Sequence, residues 1–293
     1  MCRMQPDALM GATMRMNASM EALVALGAYL RSQTEQIDVH PAIAAQLREV
    51  AAVAAGGDVD ATPGDARRVV ANAIRTLFLQ AGDLLEHPER PPGWVDPDPR
   101  VLQSTGRASA AVALVMESCG LTAGLDRPGA AFLDVGIGVG WIAITVAQRH
   151  PTARVVGIDV FAPALALARV NIADSAVADQ IELRHQSVAD LADDGAFDLI
   201  WLPGPFLGRE TMIDAIARSA RALRSGGTLV AGLYGGPPDP LSQALTNLRA
   251  VRSGGHPWAG PDLVGELTAA GLHDAHEVER TWQAPVRLVV GRK

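Results

Sequence analysis

A glycine-studded turn, Gly136-Ile137-Gly138-Val139-Gly140, joins an apolar run to a helix-forming one. Ahead of it stand Ala130-Ala131-Phe132-Leu133 and Asp134-Val135; behind it comes Trp141-Ile142-Ala143-Ile144-Thr145-Val146-Ala147. The order is strand, tight turn, helix start, and glycines there leave backbone N–H groups free to face a bound group. A second short strand, Ala153-Arg154-Val155-Val156-Gly157-Ile158, ends in Asp159, whose carboxylate has two uses. It accepts hydrogen bonds from both hydroxyls of a ribose, or it caps the helix that Pro163 helps to open. The first use implies a nucleoside-bearing cofactor.

Two such cofactors compete for the turn. The dinucleotide fingerprint G-x-G-x-x-G closes on a small residue, so that helix and strand pack tightly. Counted from Gly136 that place falls on Trp141, which is too large; counted from Gly138 it falls on Ala143, which the looser form accepts. The rest of the chain separates the two. The full pattern D-V-G-x-G-x-G, Asp134 to Gly140, resembles the first motif of the class I S-adenosylmethionine-dependent methyltransferases. The resemblance continues in order over roughly residues 128–293. Asp159 falls on the acidic residue that ends the family's second strand. Phe197-Asp198-Leu199-Ile200-Trp201-Leu202-Pro203 is similar to its fourth strand, and Leu223-Arg224-Ser225-Gly226-Gly227-Thr228-Leu229-Val230 to its helix, Gly-Gly turn and fifth strand.

The resemblance implies S-adenosyl-L-methionine as cofactor and assigns it Asp134, Gly136, Gly138, Gly140, Asp159 and Val160. It adds Ser187 and Val188 after the third strand and Leu202 at the end of the fourth. The family often has an acid where this chain has Ser187; Asp190 comes late for that role and serves equally well as a surface cap.

Composition restricts the partners. Apolar residues make up 48% of the 293 and charged ones 19%, as in folded globular proteins. A net charge of −7 without a basic tract disfavours nucleic acid as a partner. Cys2 and Cys119 are too few for a disulfide framework or a zinc site. The N-terminal Met1-Cys2-Arg3-Met4-Gln5-Pro6-Asp7 lacks the apolar core of a signal peptide, and no stretch is long enough to span a membrane. A cytoplasmic chain is expected, with a small-molecule partner.

The expected architecture is α/β: a doubly wound seven-strand sheet with an antiparallel last strand, preceded by an N-terminal all-helical domain. Residues 1–100 form the helical part and 101–293 the cofactor-binding part. In the first, Asn17 is placed to cap a helix bearing Met20, Leu23, Val24, Gly27 and Leu30. A helix is expected over Pro41–Ala55. Another starts at Thr62-Pro63, with Pro63 in its first position and a wide stripe from Val69 through Leu85. Prolines 88, 91, 92, 97 and 99 mark residues 86–100 as a linker, and a covering helix follows over 108–116. Strands are expected near 131–135, 154–159, 180–184, 197–202, 227–233, 274–281 and 285–291, the last two joined by a short turn, Trp282-Gln283-Ala284. Their alternation with helices implies parallel neighbours. The leader's stripes, together with small-molecule O-methyltransferases that the arrangement resembles, imply a lid and a homodimer interface.

Methyl transfer is an in-line displacement, so the chain must position the acceptor and, for a hydroxyl, remove its proton. The acceptor should face Leu202-Pro203-Gly204-Pro205-Phe206-Leu207. No acid occurs there before Glu210, so a metal-free reaction is expected. The Asn/Asp-Pro-Pro-Tyr signature of amino-group methylation is absent too. Candidate catalytic bases are His256, in Ser253-Gly254-Gly255-His256-Pro257-Trp258, and Tyr234, just past the fifth strand. Imidazole suits proton transfer near neutral pH. Trp201, Phe206 and Trp258 are candidate walls of an apolar acceptor pocket, and Gln103, Gly106 and Ser109 candidate contacts of the cofactor carboxylate. O-methylation of an aromatic or apolar metabolite is the leading reading. Its rivals are C-methylation, a cofactor-binding protein that no longer methylates (a cyclase or binding module), and a nicotinamide oxidoreductase.

Overall fold

The computed structural model describes residues 6–93 and 98–293. The first five residues and Pro97 of the linker lie outside that range, so the readings placed on them do too. The chain divides into two compact units, one through Pro88 and one over Glu89–Lys293. Among the described residues no helix is long and apolar enough to cross a membrane.

The first unit holds α1 (Pro6–Thr34), α2 (Pro41–Ala55) and α3 (Gly64–Glu86). Asn17 does not cap α1: it lies inside the helix, and its amide donates to Glu21 four residues on. Pro63 stands one place before α3 rather than in its first turn. The packed face of α1 is its last third. There Leu26 and Leu30 meet Ala71, Ile74 and Phe78 of α3, and Gly27 lies so close to Ile74 that a Cβ would sit 2.7 Å from its Cγ2. Tyr29 donates to Asp60, in the short turn ahead of α3, and Arg48 of α2 donates to the Tyr29 oxygen, tying α1 and α2 to that turn. The remaining apolar positions of the stripes stay exposed: Met10, Met14, Met20 and Val24 on α1, Val69 and Leu77 on α3.

The second unit opens with α4 (Pro99–Ser118), capped by Asp98 accepting from the Arg100 N–H. This helix is twice the expected length, because an Asp-Pro start signal lay within the proline-rich stretch. There follow β1 (Ala131–Val135), α5 (Trp141–Arg149), β2 (Arg154–Asp159), α6 (Ala162–Ala173), β3 (Ile181–His185), β4 (Phe197–Pro203), α7 (Arg209–Ala222), β5 (Leu223–Tyr234), α8 (Pro240–Arg252), α9 (Gly260–Ala269), β6 (His273–Glu277) and β7 (Val286–Arg292). One seven-stranded sheet results, in the order β3-β2-β1-β4-β5-β7-β6. All neighbours are parallel except β7, which runs antiparallel to β5 and β6. The expected three-residue turn before β7 is longer, since β6 stops at Glu277 and only Val278 adds a further bond, to Leu288.

Two apolar clusters cover the sheet. On one face α5 and α6 pack with α4 residues against Phe132, Leu199 and Trp201; on the other α7 and α9 pack against Leu133, Ile200 and Leu202. Strand order turns back between β1 and β4, which places the crevice for a ligand beyond their carboxyl ends.

Candidate functional site

The glycine turn leaves β1 at this crevice. Gly136, Gly138 and Gly140 have φ of +63°, +56° and +91°, a region that residues with a Cβ rarely adopt. At Gly136 the need is also steric, because a Cβ would stand 3.0 Å from Pro203 Cγ at the end of β4. Pro203 is thus a wall of the crevice, a contact that sequence reading did not isolate. Gly140 starts α5 and packs on Ile172 and Ala168 of α6.

Beneath the turn, Asp134 is fully buried, and its carboxylate oxygens make no well-formed hydrogen bond, with only the Ala143 N–H close enough to favour the charged form. Its register neighbour on β4 is Trp201, which is buried in the core. Gly232 on β5 makes room for that indole, since a Cβ would come within 2.2 Å of Trp201 Cη2. Trp201 is therefore part of the core beside Asp134 rather than an acceptor wall. Burial, and then repulsion from Asp159, push the Asp134 carboxyl up to about 8; the Ala143 N–H at the start of α5 opposes the shift only in part. An uncompensated buried carboxyl in a ligand crevice calls for a cation.

Asp159, at the end of β2, ties the turn down: one oxygen accepts from the Gly138 N–H and the other from the Phe161 N–H, both at 2.8 Å. It does not cap α6, whose cap position is Phe161 without a side-chain bond. Partial burial raises its pKa in spite of those backbone donors. Each oxygen keeps a second lone pair for a ligand hydroxyl. Val160, next along, is exposed, and its carbonyl meets the His185 ring at 3.0 Å. Ser187 accepts from the Ala189 N–H, so its hydroxyl oxygen caps the short turn that holds Val188 and Asp190; Val188 itself is buried. Leu202 is fully buried in the core, which leaves only its backbone for a ligand.

The covering helix α4 lies against the turn. A Cβ on Gly106 would fall 2.1 Å from Val139 Cγ2, so the glycine sets the approach. Gln103 and Ser109 are engaged within the protein: Ser109 donates to the Gly106 carbonyl, and Gln103 exchanges bonds with Asn171 of α6.

The two candidate bases meet at the other rim. Tyr234 ends β5, packs edge-on against Phe206 with centroids 6.3 Å apart, and faces the Ser253 hydroxyl at 3.4 Å. Burial raises its phenol pKa, which keeps the hydroxyl protonated and leaves little phenolate to act as a base. The His256 loop is clamped on the segment after β4: Gly255 abuts the Pro205 carbonyl and the His256 N–H donates to Leu207. Tyr234 and His256 both line a cleft of about 20 Å³. His256 also borders a groove of about 520 Å³ with Arg209, Trp258, Asp262 and Glu266, none of which belongs to the glycine turn. Trp258 is buried between α9 and the sheet. His273 and His276 lie on the edge strand β6, away from this constellation.

Residues 132–227 match the family model described as a methyltransferase domain. Among curated proteins, a release factor glutamine methyltransferase of Rhodopirellula baltica is 30% identical over 108 residues, 36% of either chain. A tRNA1(Val) (adenine(37)-N6)-methyltransferase of Porphyromonas gingivalis is 40% identical over 79 residues, 25% of this chain and 31% of that one. The chain spans about a third of the length of these relatives. Solved structures match from end to end. An O-methyltransferase family protein from Burkholderia thailandensis superposes with TM-score 0.68 at 18% identity, covering 100% of this chain and 99% of its own. Human N-acetylserotonin methyltransferase in complex with SAM gives 0.64 at 15% identity, with the same coverage. Residues 132–227 thus match the methyltransferase-domain family model, on a seven-strand Rossmann-like fold shared with solved methyltransferase structures.

Proposed function

We propose that the chain transfers a methyl group from S-adenosylmethionine to a small, aromatic or apolar acceptor, at oxygen and without a metal ion. The observation that carries the reading is the pairing of a buried, unpartnered Asp134 with a glycine turn already fixed by Asp159. A nicotinamide dinucleotide brings a pyrophosphate to such a turn, whose charge would oppose ionisation of Asp134 and leave the buried carboxyl uncompensated. A methionine-bearing nucleoside brings an ammonium and a sulfonium, which a buried carboxylate favours. Asp134 and the glycines would hold the amino-acid part, Asp159 the ribose, and Val160, Ser187 and Val188 would border the base. Bound there, the cofactor supplies a methyl group activated by positive sulfur.

The chain's own work is then to seat the acceptor and take its proton. Pro203, Phe206 and Tyr234 offer an apolar approach beyond β4 and β5, where a metal site would need carboxylates. Raised by burial, Tyr234 orients by hydrogen bonding, and the base is His256. A small acceptor fits the end-to-end likeness to O-methyltransferase structures and the absence of a basic tract. The local similarity to tRNA and release-factor enzymes spans a minor part of those chains. The reading includes a homodimer formed by the helical unit and a cytosolic setting, in keeping with the free thiol of Cys119.

A panel of hydroxylated aromatic acceptors, offered with methyl-labelled cofactor, tests it. Labelled ether products should form at equal rates with and without EDTA. His256→Ala should slow turnover by roughly 10²–10⁴-fold at unchanged cofactor affinity. Turnover that collapses with EDTA and returns with magnesium would overturn the metal-free step, and carbon-bound label would move the reaction to C-methylation.

A further inference from the structure

The apex of the glycine turn is held by two side chains far apart in sequence. Asn171, near the end of α6, donates through Nδ2 to the Val139 carbonyl at 2.8 Å and to Gln103 Oε1 at 3.1 Å. Gln103, on α4, returns a bond from Nε2 to Asn171 Oδ1 at 3.1 Å. Its Oε1 also receives the Trp141 indole N–H at 3.5 Å, from the first residue of α5. The Val139 side chain is buried with Leu102 of α4 and Ala164 of α6. Carbonyl and side chain of one residue are thereby both pinned.

A pinned carbonyl fixes its whole peptide plane, because the peptide unit is planar. The Gly140 N–H is turned to the Ile137 carbonyl at 2.9 Å, while Asp159 holds the Gly138 N–H. The Ile137–Gly138 and Val139–Gly140 peptides are thus oriented by the protein itself. Without these bonds, a turn with glycine at every second position would sample many conformations, and a ligand would have to order it at a cost in affinity.

We propose that Asn171 and Gln103 are positioning residues that hold the Gly136–Gly140 turn in its ligand-ready shape by fixing the Val139 carbonyl. The proposal rests on the cofactor reading above and assigns the turn to the amino-acid part of the ligand. Its effect should therefore depend on which part of the ligand is present.

Calorimetry on the full chain with two probes tests it: S-adenosylhomocysteine, and methylthioadenosine, which lacks the amino-acid part. Asn171→Ala should weaken S-adenosylhomocysteine about tenfold and methylthioadenosine less than about twofold. Asn171→Asp, of equal size but unable to donate to Val139, should lose at least as much. Gln103→Glu sets a carboxylate oxygen against Asn171 Oδ1 in place of the Nε2 donor, so it should lose S-adenosylhomocysteine affinity at least as much as Gln103→Ala. Losses in Asn171→Ala and Gln103→Ala should combine to less than their product. Equal losses for both probes, or none in variants with wild-type circular dichroism, would overturn the positioning role. A wild-type chain that binds neither probe would overturn the cofactor reading and this proposal with it.

Discussion

Asp134 carries an electrostatic cost that the protein alone does not relieve. Its carboxyl, near 4 in an unfolded chain, rises to about 8 when burial and Asp159 act on it. The folded form therefore keeps a proton that the unfolded form loses over that interval. Stability of the ligand-free protein falls as pH rises from about 4 to about 8, with a slope of up to about 1.4 kcal/mol per pH unit. Asp134→Asn should remove this slope, which chemical denaturation at pH 5 and pH 7.5 would read; parallel pH dependences in the two proteins would contradict it. Asp134, the glycines and Asp159 were legible in the sequence because they are local, standing at the ends of two apolar strands. The Asn171–Gln103 pair was not, since its partners lie 68 residues apart and neither residue type carries a motif. The sequence leaves Trp201 open between pocket wall and core, because composition does not show which face of β4 an aromatic takes. Gly232 decides that, by leaving space for the indole inside the core.

Strands of the sheet were legible as apolar runs with turn residues at their ends, and most bounds fall within a residue or two of the expectation. Helix ends were harder. Capping signals compete wherever prolines cluster, so the sequence shows only part of α4, and Asn17, a residue type that often caps, lies where α1 simply continues. The docking of α4 on the glycine turn depends on the absence of a side chain at Gly106. Its would-be Cβ meets branched Val139 rather than the tip of a flexible chain, so the helix would have to move. Gly106→Ala should cost about 1–3 kcal/mol by overpacking and weaken S-adenosylhomocysteine as well. Thermal melts and binding isotherms check this, and an unchanged pair would show that α4 does not brace the turn.

Taken whole, the molecule joins a well-packed sheet unit to a helical unit whose stripes are only half used. Met10, Met14 and Met20 on α1 are each about half exposed or more, at 64%, 64% and 49%, as are Val69 on α3 at 57% and Val53 on α2 at 78%. The proposed homodimer would bury this surface, and an isologous pairing of two copies is the simplest closed solution. Sedimentation of the full-length chain should give a dimer, and Met10→Glu with Met14→Glu should shift it toward monomer; a wild-type monomer at high concentration would contradict the assignment. The function, though, is decided in the sheet unit, by which nucleoside the crevice accepts. Calorimetry of the wild-type chain against S-adenosylmethionine, S-adenosylhomocysteine and NADH separates the readings. The first two should bind with micromolar-range affinity, about −8 kcal/mol, and NADH should give no heat of binding. Saturable NADH binding with no response to either adenosyl ligand would contradict the methyltransferase reading.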